Sequence, residues 1–307
     1  METNFIRLTQ GLDQHSLAVN LLSVSPWIVL GIFIFLAAAA GLAYRVRFWW
    51  KEGRKLVEEP GHITPRAPIV ARIARWSLLS IVRRRYCGPT KVIGGEFAKD
   101  NRRLILLYNH QTERDAIVIP PTFKLRVVRA LMAVTQIYGI RVPLASWLGI
   151  IAVHHDRNPA AALRGMIKVL QQDEDSDGVV FPQGALHRDN VHVRKEYFDG
   201  AMMIGKKVAE KSKRKVAAVP AAIAYDRNPA HATLVHRFFN AIGWKKFREF
   251  YGETVYGTCI VYGKPIPMEE LPEKYSEAMD VIFARIVELS AQAEAALKRP
   301  GDKPVNA

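Results

Sequence analysis

The chain has 307 residues, is 49% hydrophobic and carries a formal net charge of +15 at pH 7, from 44 Lys and Arg against 29 Asp and Glu. That length and apolar content allow a substantial core, and the cationic excess suits an acidic partner: an anionic membrane surface, a phosphorylated substrate or nucleic acid. Two cysteines, Cys87 and Cys259, exclude a disulfide framework and a cysteine-based metal site, and the sequence has no CxxC, HExxH, Walker loop or GxSxG elbow.

Residues Ser16 to Tyr44 contain no Lys, Arg, Asp or Glu. The densest part, Trp27–Tyr44, predicts a transmembrane helix, since at 1.5 Å per residue it reaches about 27 Å against a hydrocarbon core of about 30 Å. Trp27 and the pair Trp49, Trp50 fall near the two interfaces. Arg7 precedes the span, whereas Arg45, Arg47, Lys51, Arg54 and Lys55 follow it, so the positive-inside rule puts the C-terminal side in the cytoplasm. The competing reading is a cleaved signal peptide with its small-residue site in Ala37–Ala40, but its positive flank would then be on the wrong side. Glu59–Pro68, with three prolines and a glycine, reads as a linker. In Ile69–Tyr86 the apolar Ile73, Trp76, Leu79 and Val82 recur near helical spacing among Arg72, Arg75, Arg83, Arg84 and Arg85. This predicts a basic amphipathic helix that either lies on a membrane surface or packs on the following domain.

From residue 90 onward short apolar runs predict strands at Arg103–Tyr108, Arg129–Val134, Ile150–Val153, Gly178–Phe181, Val216–Ala224 and Val255–Tyr262. Helical patterns lie between them at Gln136–Leu148, Pro159–Gln172, Asp199–Lys211 and Tyr275–Leu297. Strands alternating with crossover helices imply an α/β fold, a mixed and largely parallel sheet flanked by helices. Acidic Asp173–Asp177 reads as a solvated loop and Lys206–Lys215 as a basic helix end.

The stretch Leu104–Asp115 carries the chemistry. A buried strand ends in Asn109-His110, and Asp115 follows five residues later. On one helix these two side chains would stand roughly 140° apart. They meet only where the chain turns from a strand end into a helix start, for which Thr112 is the expected N-cap, with Glu113 and Asp115 in the first turn. A histidine oriented by a carboxylate suits a general base; the bland alternative is a surface polar pair. In such sheets the site forms at the C-terminal ends of strands, where the segments at His110, His154–Arg157 and Pro182–Arg188 converge.

These residues resemble the glycerolipid (1-acylglycerol-3-phosphate, or lysophosphatidic acid) acyltransferase family. Asn109-His110-x4-Asp115 is similar to its first motif, and Pro143–Gly149 running into Ile150–Arg157 to its second. Phe181-Pro182-Gln183-Gly184 is similar to the third, Phe198-x-Gly200-Ala201 to the helix after it, Val219–Ile223 to the fourth, and Gly263–Ile266 to the closing strand and turn. The pieces stand in the family's order over about residues 90–270. Two blocks depart from the pattern. Gln183 replaces the usual Glu and Ala185-Leu186 the usual Thr-Arg, leaving Arg188 or His187 to take the Arg's part, and the second block's Arg corresponds to Arg157 or to His155.

The resemblance implies transfer of a fatty acyl group from acyl-CoA or acyl carrier protein to a hydroxyl, without cofactor or metal. His110 is then the general base and Asp115 its orienting partner, with Asn109, Arg114, Arg157, Gln183, Gly184 and Arg188 as substrate-binding positions and backbone N–H groups near Gly184 as oxyanion donors. Lysophosphatidic acid is the default acceptor; another lysolipid, a glycolipid or another membrane alcohol is the alternative. A non-catalytic, membrane-tethered lipid-binding homologue is the rival, and no nucleic-acid-binding module is recognisable. The expected organisation is an extracytoplasmic segment at 1–25, a transmembrane helix at 26–45, a basic amphipathic helical linker at 46–88, an acyltransferase domain at 89–298 and a disordered tail at 299–307.

Overall fold

The computed structural model describes residues 26–65, 69–100, 102–112, 114–119, 127–139, 141–187, 189–228 and 254–297. The segments 1–25 and 299–307, with Glu113 and Arg188, lie outside the described residues. The chain divides into two compact units between Lys51 and Glu52.

The first unit carries most of helix α1, Pro26–Glu58. Among the described residues α1 is the helix long and apolar enough to cross a membrane. Its large side chains are open: Phe33 is 70% and Phe35 71% exposed. In water such exposure costs about 25 cal/mol per Å² of apolar surface, which makes α1 a candidate membrane span.

The second unit begins with the last turns of α1. There Leu56 is fully buried in a cluster with Ile137, Ala145, Ile150 and Ala152. The chain continues through α2 (Ile69–Tyr86), β1 (Thr90–Ile93), β2 (Arg103–Tyr108), α3 (Asp115–Val118), β3 (Val127–Ala133), α4 (Arg141–Leu148), β4 (Ile150–Val153), α5 (Pro159–Gln172) and β5 (Ser176–Val180). It ends with α6 (Gly200–Ala209), β6 (Val216–Asn228), β7 (Thr254–Tyr262), β8 (Ile266–Pro267) and α7 (Tyr275–Leu297). The sheet order is β1-β7-β6-β2-β5-β3-β4, with β8 also on β6. Strands β6, β2, β5, β3 and β4 run parallel, while β7 is antiparallel to β6. This is the expected mixed, largely parallel sheet flanked by helices.

Strand β2 is buried along its whole length because helices cover both faces. Its alternate residues go opposite ways. Ile105 and Leu107 join the core built with α5, α6 and α7; Leu104, Leu106 and Tyr108 join Cys87, Ala98, Val118 and Ile119 on the other side. The Tyr108 hydroxyl donates to Tyr262 at 3.0 Å, so the buried phenol is not left unpaired.

Three of the predicted elements differ most from expectation. The helix predicted over Gln136–Leu148 is a 3-10 turn, Val134–Gln136, followed by α4, with Gly139 in the left-handed region (φ 52°) between them. Asp173–Asp177 is not all solvated loop. Ser176 and Asp177 open β5, and Asp177 is 1% exposed because its Oδ1 accepts the Leu104 N–H at 3.0 Å. Strand β6 outruns its predicted end at Ala224 by continuing as an antiparallel pair with β7 to Asn228.

Candidate active site

Beyond Tyr108 the chain leaves the sheet between β5, which ends at Val180 opposite Leu107, and β6, which runs on to Asn228. His110 is then fixed from several sides. Its N–H donates to Gln183 Oε1 at 2.7 Å, and its carbonyl accepts from the His187 N–H at 2.7 Å. Its ring stacks on Phe181, with centroids 4.2 Å apart and an interplanar angle of 23°. Its Nδ1 lies 2.8 Å from Asp115 Oδ2. A carboxylate only accepts, so Nδ1 is the donor in this contact, and in the neutral imidazole Nε2 is then the nitrogen with the lone pair. The imidazole is 22% exposed, whereas Asp115 is fully buried.

Asp115 opens α3, a single turn whose N-cap position, Arg114, makes no side-chain cap bond. Thr112 is therefore not the cap; its Oγ1 takes only a long contact of 3.4 Å from the Arg114 N–H. The carboxylate itself organises the turn, since Oδ2 also accepts the N–H groups of Gln111 at 2.9 Å and Thr112 at 3.2 Å. Its other oxygen accepts the hydroxyl of Tyr225 on the extension of β6. Burial and the neighbouring Asp115 charge push the Tyr225 phenol well above its ordinary range, so it stays a donor. Arg227, two residues further on the same face of β6, donates to Gln111 Oε1 at 2.9 Å, and Gln111 Nε2 donates to the Ile223 carbonyl at 2.7 Å.

The remaining candidates fall into distinct environments. Asn109 is fully buried and its amide is committed to protein: Oδ1 accepts the Ile223 N–H at 2.7 Å, and Nδ2 donates to the Ile223 carbonyl at 2.9 Å and to Asn190 Oδ1 at 2.7 Å. It splices β2 to β6 rather than facing a ligand. Gln183, 2% exposed, is spent on the His110 backbone, with a long contact to the Val191 carbonyl at 3.5 Å. Glu at this position would accept from His110 but would have no donor for Val191. Gly184 adopts φ 66°, and its own N–H donates to the Phe181 carbonyl at 3.1 Å, closing a turn. That N–H is occupied. The next amides, of Ala185 and Leu186, donate to no backbone carbonyl among the described residues.

Arg114 is buried, with its charge close enough to Cys87 to act on that thiol. Arg157 is not brought to His110. It follows β4, three strands from β2 and roughly 14 Å along the sheet edge at 4.7–4.9 Å per strand. There its side chain is 62% exposed beside Asp156. His155 is exposed as well, whereas His154 is buried with Nε2 3.0 Å from the Leu56 carbonyl at the end of α1.

Tyr225, Arg227 and Asn190 were not anticipated in this region. Asn190 is a non-glycine residue in the left-handed region (φ 57°), and its side chain ties Asn109 to Ser290 and Glu294 of α7. Both cysteines are buried, and burial pushes their thiols up, Cys87 to about 12, which removes them as thiolate nucleophiles near neutral pH.

No protein-family model and no curated protein sequence matches this chain. Among solved structures it is similar to the crystal structure of the 1-acyl-sn-glycerophosphate (LPA) acyltransferase PlsC from Thermotoga maritima. The identity is 16% and the TM-score 0.49, over 75% of this chain and 83% of that one.

Proposed function

We propose that the protein is a membrane-anchored acyltransferase that moves a fatty acyl group from an acyl thioester to a hydroxyl of a lysophospholipid such as 1-acylglycerol-3-phosphate. One observation carries the reading: at a strand end, His110 Nδ1 lies 2.8 Å from a buried carboxylate, in an imidazole that is 22% exposed. The ordered family-like motifs around it support the substrate class. Nε2 takes the proton of the acceptor hydroxyl as its oxygen attacks the thioester carbonyl. The tetrahedral oxyanion collapses, the C–S bond breaks, and the imidazolium returns the proton to the leaving thiolate. Asp115 orients the ring and balances its transient charge. No acyl-enzyme is needed, in keeping with the two unreactive thiols.

Amides after Gly184 are the proposed oxyanion donors. Arg188 is the proposed cation for an acceptor phosphate. The donor is acyl-CoA or acyl carrier protein, and the catalytic unit faces the cytoplasm by the charge asymmetry around α1. Gln183 and Ala185-Leu186, where the family has Glu and Thr-Arg, favour a second reading in which the acceptor lacks a phosphate. The test is transfer from labelled acyl-CoA, then acyl carrier protein, to phosphate-bearing and phosphate-free acceptors in vesicles, with His110→Ala as control. Product from the wild type alone supports the enzyme, and acceptor preference decides between the readings. No product with any donor, with lipid binding retained, overturns both in favour of a lipid-binding protein.

A further inference from the structure

Asn190 meets the end of β2 by two routes and α7 by a third. Its Oδ1 accepts from Asn109 Nδ2 at 2.7 Å. Its N–H donates to the His187 carbonyl at 3.1 Å, and the His187 N–H donates in turn to the His110 carbonyl at 2.7 Å. Its Nδ2 donates to Ser290 Oγ and Glu294 Oε1, about one helical turn apart on α7. The two ends of this chain of bonds fix its direction. The Ile223 N–H has to meet an oxygen, which orients the Asn109 amide, and the Glu294 carboxylate only accepts, which orients the Asn190 amide. Asn190 also sits at φ 57°, and among the described residues no other non-glycine has a positive φ. Asparagine tolerates that conformation better than most residues, yet it persists only where the surroundings hold it. From Gln183 to Asn190 the described residues form neither helix nor strand, so the segment that bonds to His110 takes its fixed point from elsewhere. Helix α7 supplies one: Ser290 is 2% exposed, on a helix whose Ile282 and Ile286 lie in the core.

We infer that Asn190 is a positioning residue for His110. It ties the Asn109–His110 strand end to the buried frame of α7, from the side chain of Asn109 and from the carbonyl of His110 at once, and so holds the imidazole in line with Asp115. Its effect on turnover rests on the acyl-transfer reading; its hold on the strand end does not.

The experiment uses the full chain in vesicles. Asn190→Gly keeps the left-handed backbone and deletes every side-chain bond. Asn190→Asp keeps the acceptor for Asn109 but sets a carboxylate against Glu294. Adding Glu294→Gln, at an exposed position, gives that carboxylate an amide donor. In acyl transfer, kcat should fall about tenfold in both single variants with donor and acceptor KM within about twofold, and the double variant should recover most of the loss seen in Asn190→Asp. Amide hydrogen exchange, read by mass spectrometry on the same samples, should speed up several-fold at His110 and His187 in Asn190→Gly and stay unchanged at Ile151 in β4. Unchanged kcat in both single variants overturns the inference, as does a loss confined to KM, which would put Asn190 on the substrate. A double variant no better than Asn190→Asp overturns the link through α7. If the wild type transfers no acyl group, exchange decides alone. Faster exchange at His110 and His187 then upholds the positioning while the acyl-transfer reading fails, and unchanged exchange overturns it.

Discussion

Two strand ends on the same edge of the sheet reach different outcomes. After β2, in the middle of the sheet, His110 and Asp115 are held by Gln183 from the β5 side, by Tyr225 from the β6 side and by the turn between them. After β4, at the sheet margin, His155 and Arg157 project into solvent and only His154 is anchored. A central strand end has neighbours on both sides to supply second partners, so it can hold a side chain in one orientation. A marginal end has one neighbour and lacks that control. Preorganisation of this kind is what general-base chemistry requires.

Substitutions separate the two strand ends. The largest effect should come from His110→Ala, which should lower acyl transfer by about 10²–10⁴-fold with unchanged circular dichroism; near-normal turnover would place the chemistry elsewhere. Tyr225→Phe removes one donor from a charged acceptor, and kcat should fall on the order of tenfold with acceptor KM unchanged. A change in KM alone would recast Tyr225 as a substrate contact. Gly184→Ala puts a Cβ about 2.9 Å from Phe198 Cε2 at φ 66°, and chemical denaturation should register a loss of about 1–3 kcal/mol. Phe198→Ala in the same chain should recover part of it, the φ strain remaining.

A smaller effect is pH-dependent. Burial holds His192 below the usual histidine range, and its Nε2 has no hydrogen-bond partner. The unfolded chain takes up that proton near pH 6.5 while the fold resists it, so stability should be full above that pH and fall on acidification toward the lowered folded value. His192→Gln should flatten that part of the denaturation profile; an unaltered slope would exclude the residue as its source. The smallest effect should be Arg157→Ala, with stability changed by no more than about 0.5 kcal/mol and kcat unchanged. A loss of turnover approaching that of His110→Ala would erase the distinction between the two strand ends.

Legibility in the sequence followed the range of the interaction. Strands β2 and β4 and helices α2, α5 and α7 occupy the residues that periodicity assigned, because long apolar patterns are local signals. Strands β1 and β8 escaped notice, being four and two residues long, with β1 largely exposed. His110 and Asp115 were visible for the same reason: five residues and one turn connect them. Tyr225 and Asn190 were not, since they act across 110 and 81 positions of sequence. A trace of the former was present. The side chains of Tyr225 and Arg227, two residues apart, both address the segment Asn109–Asp115, and Ile223 reaches it through its backbone. Reading β6 as ended at Ala224 left both side chains outside the strand.

The way α1 ends bears on how the second unit can be obtained in soluble form. Leu56 sits fully buried among Ile137, Ala145, Ile150 and Ala152, and Glu52 meets Lys55 at 2.8 Å and His62 at 3.0 Å. A truncation drawn at the C-terminal end of the helix would remove Leu56 along with the apolar span. It would leave a void whose cost, on the scale of a buried leucine, is about 2–5 kcal/mol, and strip His154 of its partner. The cut has to fall before Glu52, so that the final turns of α1 travel with the fragment as part of its core.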